Sequence, residues 1–315
     1  MNIALIGYGE VGRILAEDLR AAGHAVTAYD LELDELATKG DATAGASMRA
    51  HAGTHGVTLA ASPIAAVETA ELVISAVTAS QTMAAAEACA GTLSAGVFFL
   101  DLNSASPNTK IRAGRSINSA PGRGRYVEAA VMTSVPPYRL KVPLLLGGPD
   151  AERVQPLLEG LGFAAKVASV KLGVASATKM CRSVVIKGLE ATVIESLTAA
   201  RHYGVEDAVI GSLRETFPGI DWEKQATYFF QRVIEHGRRR GEEMREAAVA
   251  VRDAALEPWS ASATADRQTW MGDLADRSVF GVRGRPGFAR STDWRIEADR
   301  ILNHTRTGKA DGHER

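Results

Sequence analysis

Short runs of apolar, β-favouring residues alternate with amphipathic stretches through the first half of the chain. The strands this pattern predicts are Asn2–Ile6, Ala25–Tyr29, Leu72–Ala76, Val97–Asp101, Tyr126–Val131 and Val142–Leu146. Most are apolar at consecutive positions, as expected for parallel strands that helices cover on both faces. After the first strand, Val11, Ile14, Leu15, Leu19 and Ala22 share one helical face, and Gly23 can end that helix. Ser62-Pro63 and Ser106-Pro107 each place a hydroxyl cap before a proline at the first helical position. Repeated β–α units of this kind predict an α/β fold with a doubly wound parallel sheet.

Beyond about Gly173 the alternation stops. From Val174 to about His202 there is no proline and a single glycine, Gly188, which predicts one helix of roughly 40 Å at 1.5 Å per residue. Further helices are predicted over Glu206–Thr216, Asp221–His236, Gly241–Leu256 and Ser260–Arg277. The chain therefore reads as a sheet domain over residues 1–168 and an all-helical domain over 169–280. Residues 281–315 carry eight Lys/Arg against five acids with little apolar periodicity, and are expected to form a mobile or partner-docked tail.

Composition narrows the function classes. A length of 315 residues suits two domains, and 46% hydrophobic with 23% charged residues is a globular balance. The formal net charge of −1 supplies no basic excess for a phosphate backbone, so no nucleic-acid partner is expected. No apolar run approaches the roughly 18 residues that span a bilayer, so no membrane partner is expected either. The start Met1-Asn2-Ile3 enters an apolar run without the basic segment of a signal peptide. Cys89 and Cys181 have neither metal spacing nor a redox CxxC arrangement. These features together predict a cytoplasmic protein.

Gly7-Tyr8-Gly9-Glu10-Val11-Gly12 fits G-x-G-x-x-G, follows a strand, opens an amphipathic helix and precedes a second strand ending at Asp30. That context predicts a Rossmann-type dinucleotide site rather than a ligand-free glycine turn. Gly7 serves the tight turn, Gly9 the approach of the pyrophosphate and Gly12 the packing of helix on strand. The first helical N–H groups, around Glu10 and Val11, then face the phosphates. Asp30 can accept hydrogen bonds from ribose hydroxyls and would repel a 2′-phosphate, which favours NAD while leaving NADP possible. Val77 and Thr78, after the Leu72–Ala76 strand, are further cofactor-binding candidates.

Gly173-Val174-Ala175-Ser176-Ala177-Thr178-Lys179-Met180-Cys181 opens the long helix, and Asp101-Leu102-Asn103-Ser104-Ala105-Ser106-Pro107 follows a strand. With the N-terminal fingerprint, this ordered set resembles the β-hydroxyacid dehydrogenase family, which includes 6-phosphogluconate and 3-hydroxyisobutyrate dehydrogenases. The resemblance covers Met1 to about Met271. It implies NAD(P)-linked oxidation of a hydroxy acid, with Lys179 as catalytic lysine and Asn103 and Ser104 holding substrate near the nicotinamide. It also implies homodimers with interlocked helical domains, and Ser183 stands where the family usually has Asn or Asp. The chemistry agrees: removing a hydride from an alcohol leaves a proton for a base, and lysine serves only if its neutral form is accessible. Lys179, Arg182, Ser183 and Lys187 lie along one side of the helix, where neighbouring cations and burial favour neutral lysine. Ala175, Ala177, Met180, Val184 and Val185 predict a mostly buried helix. A solvated surface lysine and a plain strand-end turn are the competing readings of Lys179 and of Asn103-Ser104.

Departures from the family bear on the substrate. Where members carry a Ser-Gly-Gly turn for the substrate carboxylate, this chain reads Ala130-Val131-Met132-Thr133-Ser134-Val135-Pro136-Pro137-Tyr138. Glu242-Glu243-Met244 replaces the later lysine–aspartate pair. The chain thus resembles a divergent, phosphogluconate-dehydrogenase-like subgroup, and a pocket lined by Met132, Thr133 and Ser134 predicts a bulkier, partly apolar substrate. An imine reductase on the same scaffold and a non-catalytic NAD-binding redox sensor are the alternatives. His236 with Arg238-Arg239-Arg240 reads as a solvated face or an anion site, and Tyr228-Phe229-Phe230 as core or dimer packing. His51 and His55 have the spacing of a metal pair, but their glycine-flanked segment offers no clear third ligand and predicts a surface loop.

Overall fold

The computed structural model describes residues 1–33, 45–289 and 291–310, with the side chains of 308–310 left aside. Contacts divide it into two compact units, Met1–Met180 and Cys181–Arg315.

The first unit holds β1 (Asn2–Ile6), α1 (Glu10–Ala21), β2 (Ala25–Tyr29), α2 (Ala46–His55), β3 (Thr58–Leu59), α3 (Pro63–Val67), β4 (Leu72–Ser75) and α4 (Thr82–Ala90). It continues with β5 (Phe98–Asp101), α5 (Pro107–Ser119), β6 (Arg125–Val131), β7 (Pro143–Gly147), α6 (Ala151–Gly160) and β8 (Ala164–Ser169). The eight strands form one sheet in the order β3-β2-β1-β4-β5-β6-β7-β8. All neighbours are parallel except β6 and β7, a departure from the all-parallel sheet expected. Their connection is short, and a parallel pairing would need a crossover of a dozen residues or more. Alternate residues enter opposite layers: Ile3, Leu5, Leu72 and Ile74 pack into one buried cluster, and Ala4, Ile6 and Val73 into another. The sheet is thus sealed on both faces, which is what made its central strands read as continuous apolar runs.

Two strands escaped the sequence pattern. β3 is two residues long, and β8 alternates half-buried and exposed positions as a sheet edge does. Both expected proline-led helices exist, with Ser62 Oγ accepting from Ala65 N at 3.1 Å and Ser106 Oγ from Thr109 N at 3.4 Å. His51 and His55 do not lie in a loop: they belong to α2, which ends at Gly56 in the left-handed conformation.

A long helix, α7 (Val174–Tyr203), starts in the first unit and continues into the second. The second unit adds α8 (Glu206–Thr216), α9 (Trp222–Asp253), α10 (Trp259–Asp276) and α11 (Trp294–Ala310). The two helices expected over 221–256 are one, α9, running through Gly237 and Gly241. These glycines mark close packing rather than helix ends. A Cβ at Gly237 would stand 2.4 Å from the carbonyl oxygen of Gln268, and one at Gly241 would meet the Thr269 hydroxyl.

Residues 281–310 are not a tail without structure. Trp294, Ala298 and Ile301 form a buried stripe of α11 in the helical core with Phe230 and Met271, so the i, i+4, i+7 apolar signal outweighs the charged composition. Arg290 and residues 311–315 lie outside the described residues. Phe229 and Phe230 are core, whereas Tyr228 is 48% exposed. Arg240 is buried against Glu190, unlike the solvated face expected of its run. Val185, expected inside, is 67% exposed, so the middle of α7 shows an apolar face.

Candidate active site

The glycine-rich loop between β1 and α1 has the shape the fingerprint predicts. Gly7 has φ +100°, and a Cβ there would sit 2.5 Å from the carbonyl oxygen of Ala76. A Cβ at Gly12 would reach within 2.1 Å of the carbonyl oxygen of Gly7, so helix and turn touch through bare backbone. At Gly9 a Cβ would meet nothing within 4 Å among the described residues, and the space beside it suits a ligand. α1 begins at exposed Glu10 without a side-chain cap, so its first N–H groups, with those of half-buried Val11 and of Gly12, lack intrahelical acceptors. Asp30 closes the cradle from the end of β2. Its Oδ2 accepts from Tyr8 N at 2.6 Å and its Oδ1 from Glu32 N at 3.0 Å, which leaves acceptor capacity on both oxygens. A dinucleotide fits these groups.

The second part of the site lies at the end of β5. Asn103 is buried, and both ends of its amide are engaged: Oδ1 accepts from Val77 N at 2.8 Å, and Nδ2 donates to Ser75 Oγ at 3.0 Å. It therefore ties the loop after β4, with half-buried Val77 and exposed Thr78, to the loop after β5. Beneath it Asp101 takes Lys110 Nζ at 2.7 Å, the Tyr126 hydroxyl at 2.6 Å and the Asn103 N–H at 2.9 Å. Burial, then the adjacent Asp101 carboxylate, pushes the Tyr126 phenol well above its ordinary range. Next in the chain is Ser104, whose Oγ accepts from Lys179 Nζ at 2.5 Å. Two residues the sequence placed 75 positions apart thus meet.

Glu128 determines where Lys179 stands. It is buried in the middle of β6, and its Oε1 accepts from Gly173 N at 2.7 Å and Ala175 N at 3.2 Å. Its Oε2 accepts from Ser176 Oγ at 2.7 Å. A carboxylate at the start of α7 satisfies helix N–H groups and complements the helix dipole one turn before Lys179. Sequence reasoning passed over Glu128 and the Asp101–Lys110–Tyr126 cluster. The available signal was an acid inside an otherwise apolar strand, which on a buried strand requires a partner. β6 leads into the loop holding half-buried Met132 and Ser134 and exposed Thr133. Met132 N donates to Pro143 O at 3.0 Å, so this backbone donor is already used.

Ser183 and Lys187, on later turns of α7, belong to the second unit and are buried there, while Arg182 is exposed. Lys187 Nζ lies 2.5 Å from Glu243 Oε2, so Glu243 partners a buried amine in that unit. Burial lowers the Lys187 pKa even against the pull of Glu243.

The chain is similar to several solved proteins. A protein from Sinorhizobium meliloti is 35% identical, over 95% of this chain and 96% of its own, with a TM-score of 0.71. The conserved protein MTH1747, whose structure was described as similar to 3-hydroxyacid dehydrogenases, is 29% identical over 87% of this chain and 99% of its own, with a TM-score of 0.65. The 3-hydroxyisobutyrate dehydrogenase of Mycobacterium tuberculosis, solved with L-serine, shares the fold at 19% identity over 87% of this chain and 95% of its own, with a TM-score of 0.69. Residues 200–271 match a domain of unknown function, DUF1932. Residues 2–170, more than half of the chain, match the NAD binding domain of 6-phosphogluconate dehydrogenase, and the chain belongs to that family.

Proposed function

We propose that the protein is an NAD-dependent dehydrogenase or reductase acting between a hydroxy acid and the related carbonyl compound. The observation that carries this reading is the 2.5 Å contact of Lys179 Nζ with Ser104 Oγ in the unit that bears the dinucleotide cradle. Nicotinamide, when bound, supplies the hydride acceptor or donor. The substrate hydroxyl must also lose or gain a proton, and Lys179 handles that proton at Nζ. Ser104 orients the amine, Asn103 holds the loop that presents Ser104, and Glu128 holds the start of the helix that presents Lys179. Gly7, Gly9 and the N–H groups from Glu10 to Gly12 bind the pyrophosphate, and Asp30 takes the ribose hydroxyls.

The substrate is bulkier than 3-hydroxyisobutyrate. The Met132 N–H is taken by Pro143, and Pro136 and Pro137 remove two further donors, so backbone capture of a small carboxylate is weakened. Met132 offers apolar contact to a larger group instead. The same loss of a carboxylate turn admits an imine substrate, so the test includes one.

The test follows NADH absorbance with 3-hydroxyisobutyrate, aryl- and alkyl-extended hydroxy acids and a cyclic imine. The expected result is a higher kcat/KM for the extended acids, with turnover reduced about 10²–10⁴-fold in Lys179→Ala while NAD affinity is retained. Preference for the smallest acid overturns the reading of the loop, and near-normal turnover of Lys179→Ala overturns the role of the lysine. NAD binding without turnover of any of these compounds would favour a sensor.

A further inference from the structure

Between α1 and α2, three side chains with metal-binding atoms converge. Glu17 comes from α1, and His51 and His55 come from α2, four residues apart and so on one helical face. Glu17 Oε1 lies 2.8 Å from His51 Nε2 and 3.9 Å from His55 Nε2. One ligand atom from each residue falls within 4.8 Å of the others. With metal–ligand bonds of about 2.0–2.1 Å, tetrahedral ligand atoms stand about 3.3 Å apart, so small rotations complete the set. The imidazole rings lie side by side, their centroids 4.5 Å apart and their planes 33° from parallel. The side chains of Glu17, His51 and His55 are 29%, 17% and 35% exposed, which leaves a hydrated ion a way in.

What surrounds the three is as informative as the three themselves. The remaining nitrogen of His51, Nδ1, is 2.8 Å from the hydroxyl of Tyr8, which is fully buried. The remaining oxygen of Glu17, Oε2, is held by Arg139 at 2.6 Å, and Arg139 is fastened in turn to Asp18. His51 and Glu17 thus each turn one atom toward the centre and have the other tied back, the outer arrangement that orients metal ligands. A simple His51–Glu17 pair would account for one contact but gives no reason for His55 to face the same carboxylate oxygen.

We propose that Glu17, His51 and His55 form a binding site for a divalent transition metal, zinc being the ion their two imidazoles and one carboxylate suit, with solvent at the fourth position. The ion joins α1 to α2. Through Tyr8, whose backbone N–H is bound to Asp30, it bears on the loop between Gly7 and Gly9. The site is separate from Lys179 and Ser104 and stands whether or not the proposed reaction is correct.

The experiment uses the full chain without an affinity tag, stripped with chelator and titrated calorimetrically with zinc chloride, with bound metal measured after desalting. The expected result is one zinc per chain, with affinity at least about tenfold weaker in His55→Ala and in Glu17→Gln and with circular dichroism unchanged. Zinc should raise the melting temperature of the wild type and not that of His55→Ala. Failure of the wild type to retain zinc overturns the proposal. So does a Glu17→Gln protein that binds as the wild type does, because a bare histidine pair on a helix would then suffice.

Discussion

Asp30 and Lys179 each hold a charge whose effect depends on what stands a few ångströms away. Asp30 is pinned through Tyr8 N and Glu32 N, so its carboxylate cannot swing clear of a 2′-phosphate on the ribose. At ~4 Å and an effective dielectric near 20, two like charges repel by about 4 kcal/mol, and solvent screening reduces this further. Even a quarter of that is about fivefold in affinity. Asp30→Ala should therefore bring the dissociation constants of NAD and NADP closer by about that factor, as read from fluorescence titration of both cofactors. A wild type that binds NADP more tightly would remove the basis of the expectation. At this scale the tight glycine turn and the placing of Asp30 beside it were legible, because both rest on residue type and short spacing. Glu128 and Asp101 were not, because a buried acid declares its role only once its partners are known.

Helix packing in the second unit turns on the absence of side-chain atoms. Gly237 lies where α9 presses on the backbone of α10, and an added methyl group would meet Gln268 O at 2.4 Å and Gly272 N at 2.9 Å. Backbone cannot rotate aside, so Gly237→Ala should destabilise by about 1–3 kcal/mol. Gly211, in α8, supplies the contrast, since a methyl group there meets nothing within 4 Å among the described residues. Gly211→Ala should stabilise by about 0.4–1 kcal/mol through the lower entropy of the unfolded chain. Urea denaturation of both variants checks the pair, and equal effects would refute the packing argument. Gly237 and Gly241 explain why α9 read as two helices. A glycine in a helical pattern signals either an end or a close approach, and local sequence does not distinguish them.

At the scale of the whole molecule, association turns on exposed apolar residues of α7. Val185, Ile186 and Leu189 on α7 are 67%, 38% and 37% exposed, a cluster of apolar surface on that helix. The family resemblance implies a homodimer, and this surface is the one we expect a second copy to cover. Sedimentation velocity should show a dimer for the wild type and a shift toward monomer for Val185→Asp, with unchanged circular dichroism. A monomeric wild type would exclude the dimer. No helix among the described residues is long and apolar enough to cross a membrane.

What the sequence determined by itself was local and periodic. The central strands, the proline-led helices and the dinucleotide turn all follow from apolar spacing and from what glycine and proline permit over a few residues. Tertiary structure alone decided the rest. It showed that β7 runs antiparallel to β6, that 294–310 docks on the helical core, and that Asn103 spends its amide on Ser75 and Val77. It also set Glu17 beside two histidines that by spacing alone lacked a third ligand. Each of these outcomes is a pairing between segments far apart in the chain, and local propensity carries no information about which distant partner a side chain will meet.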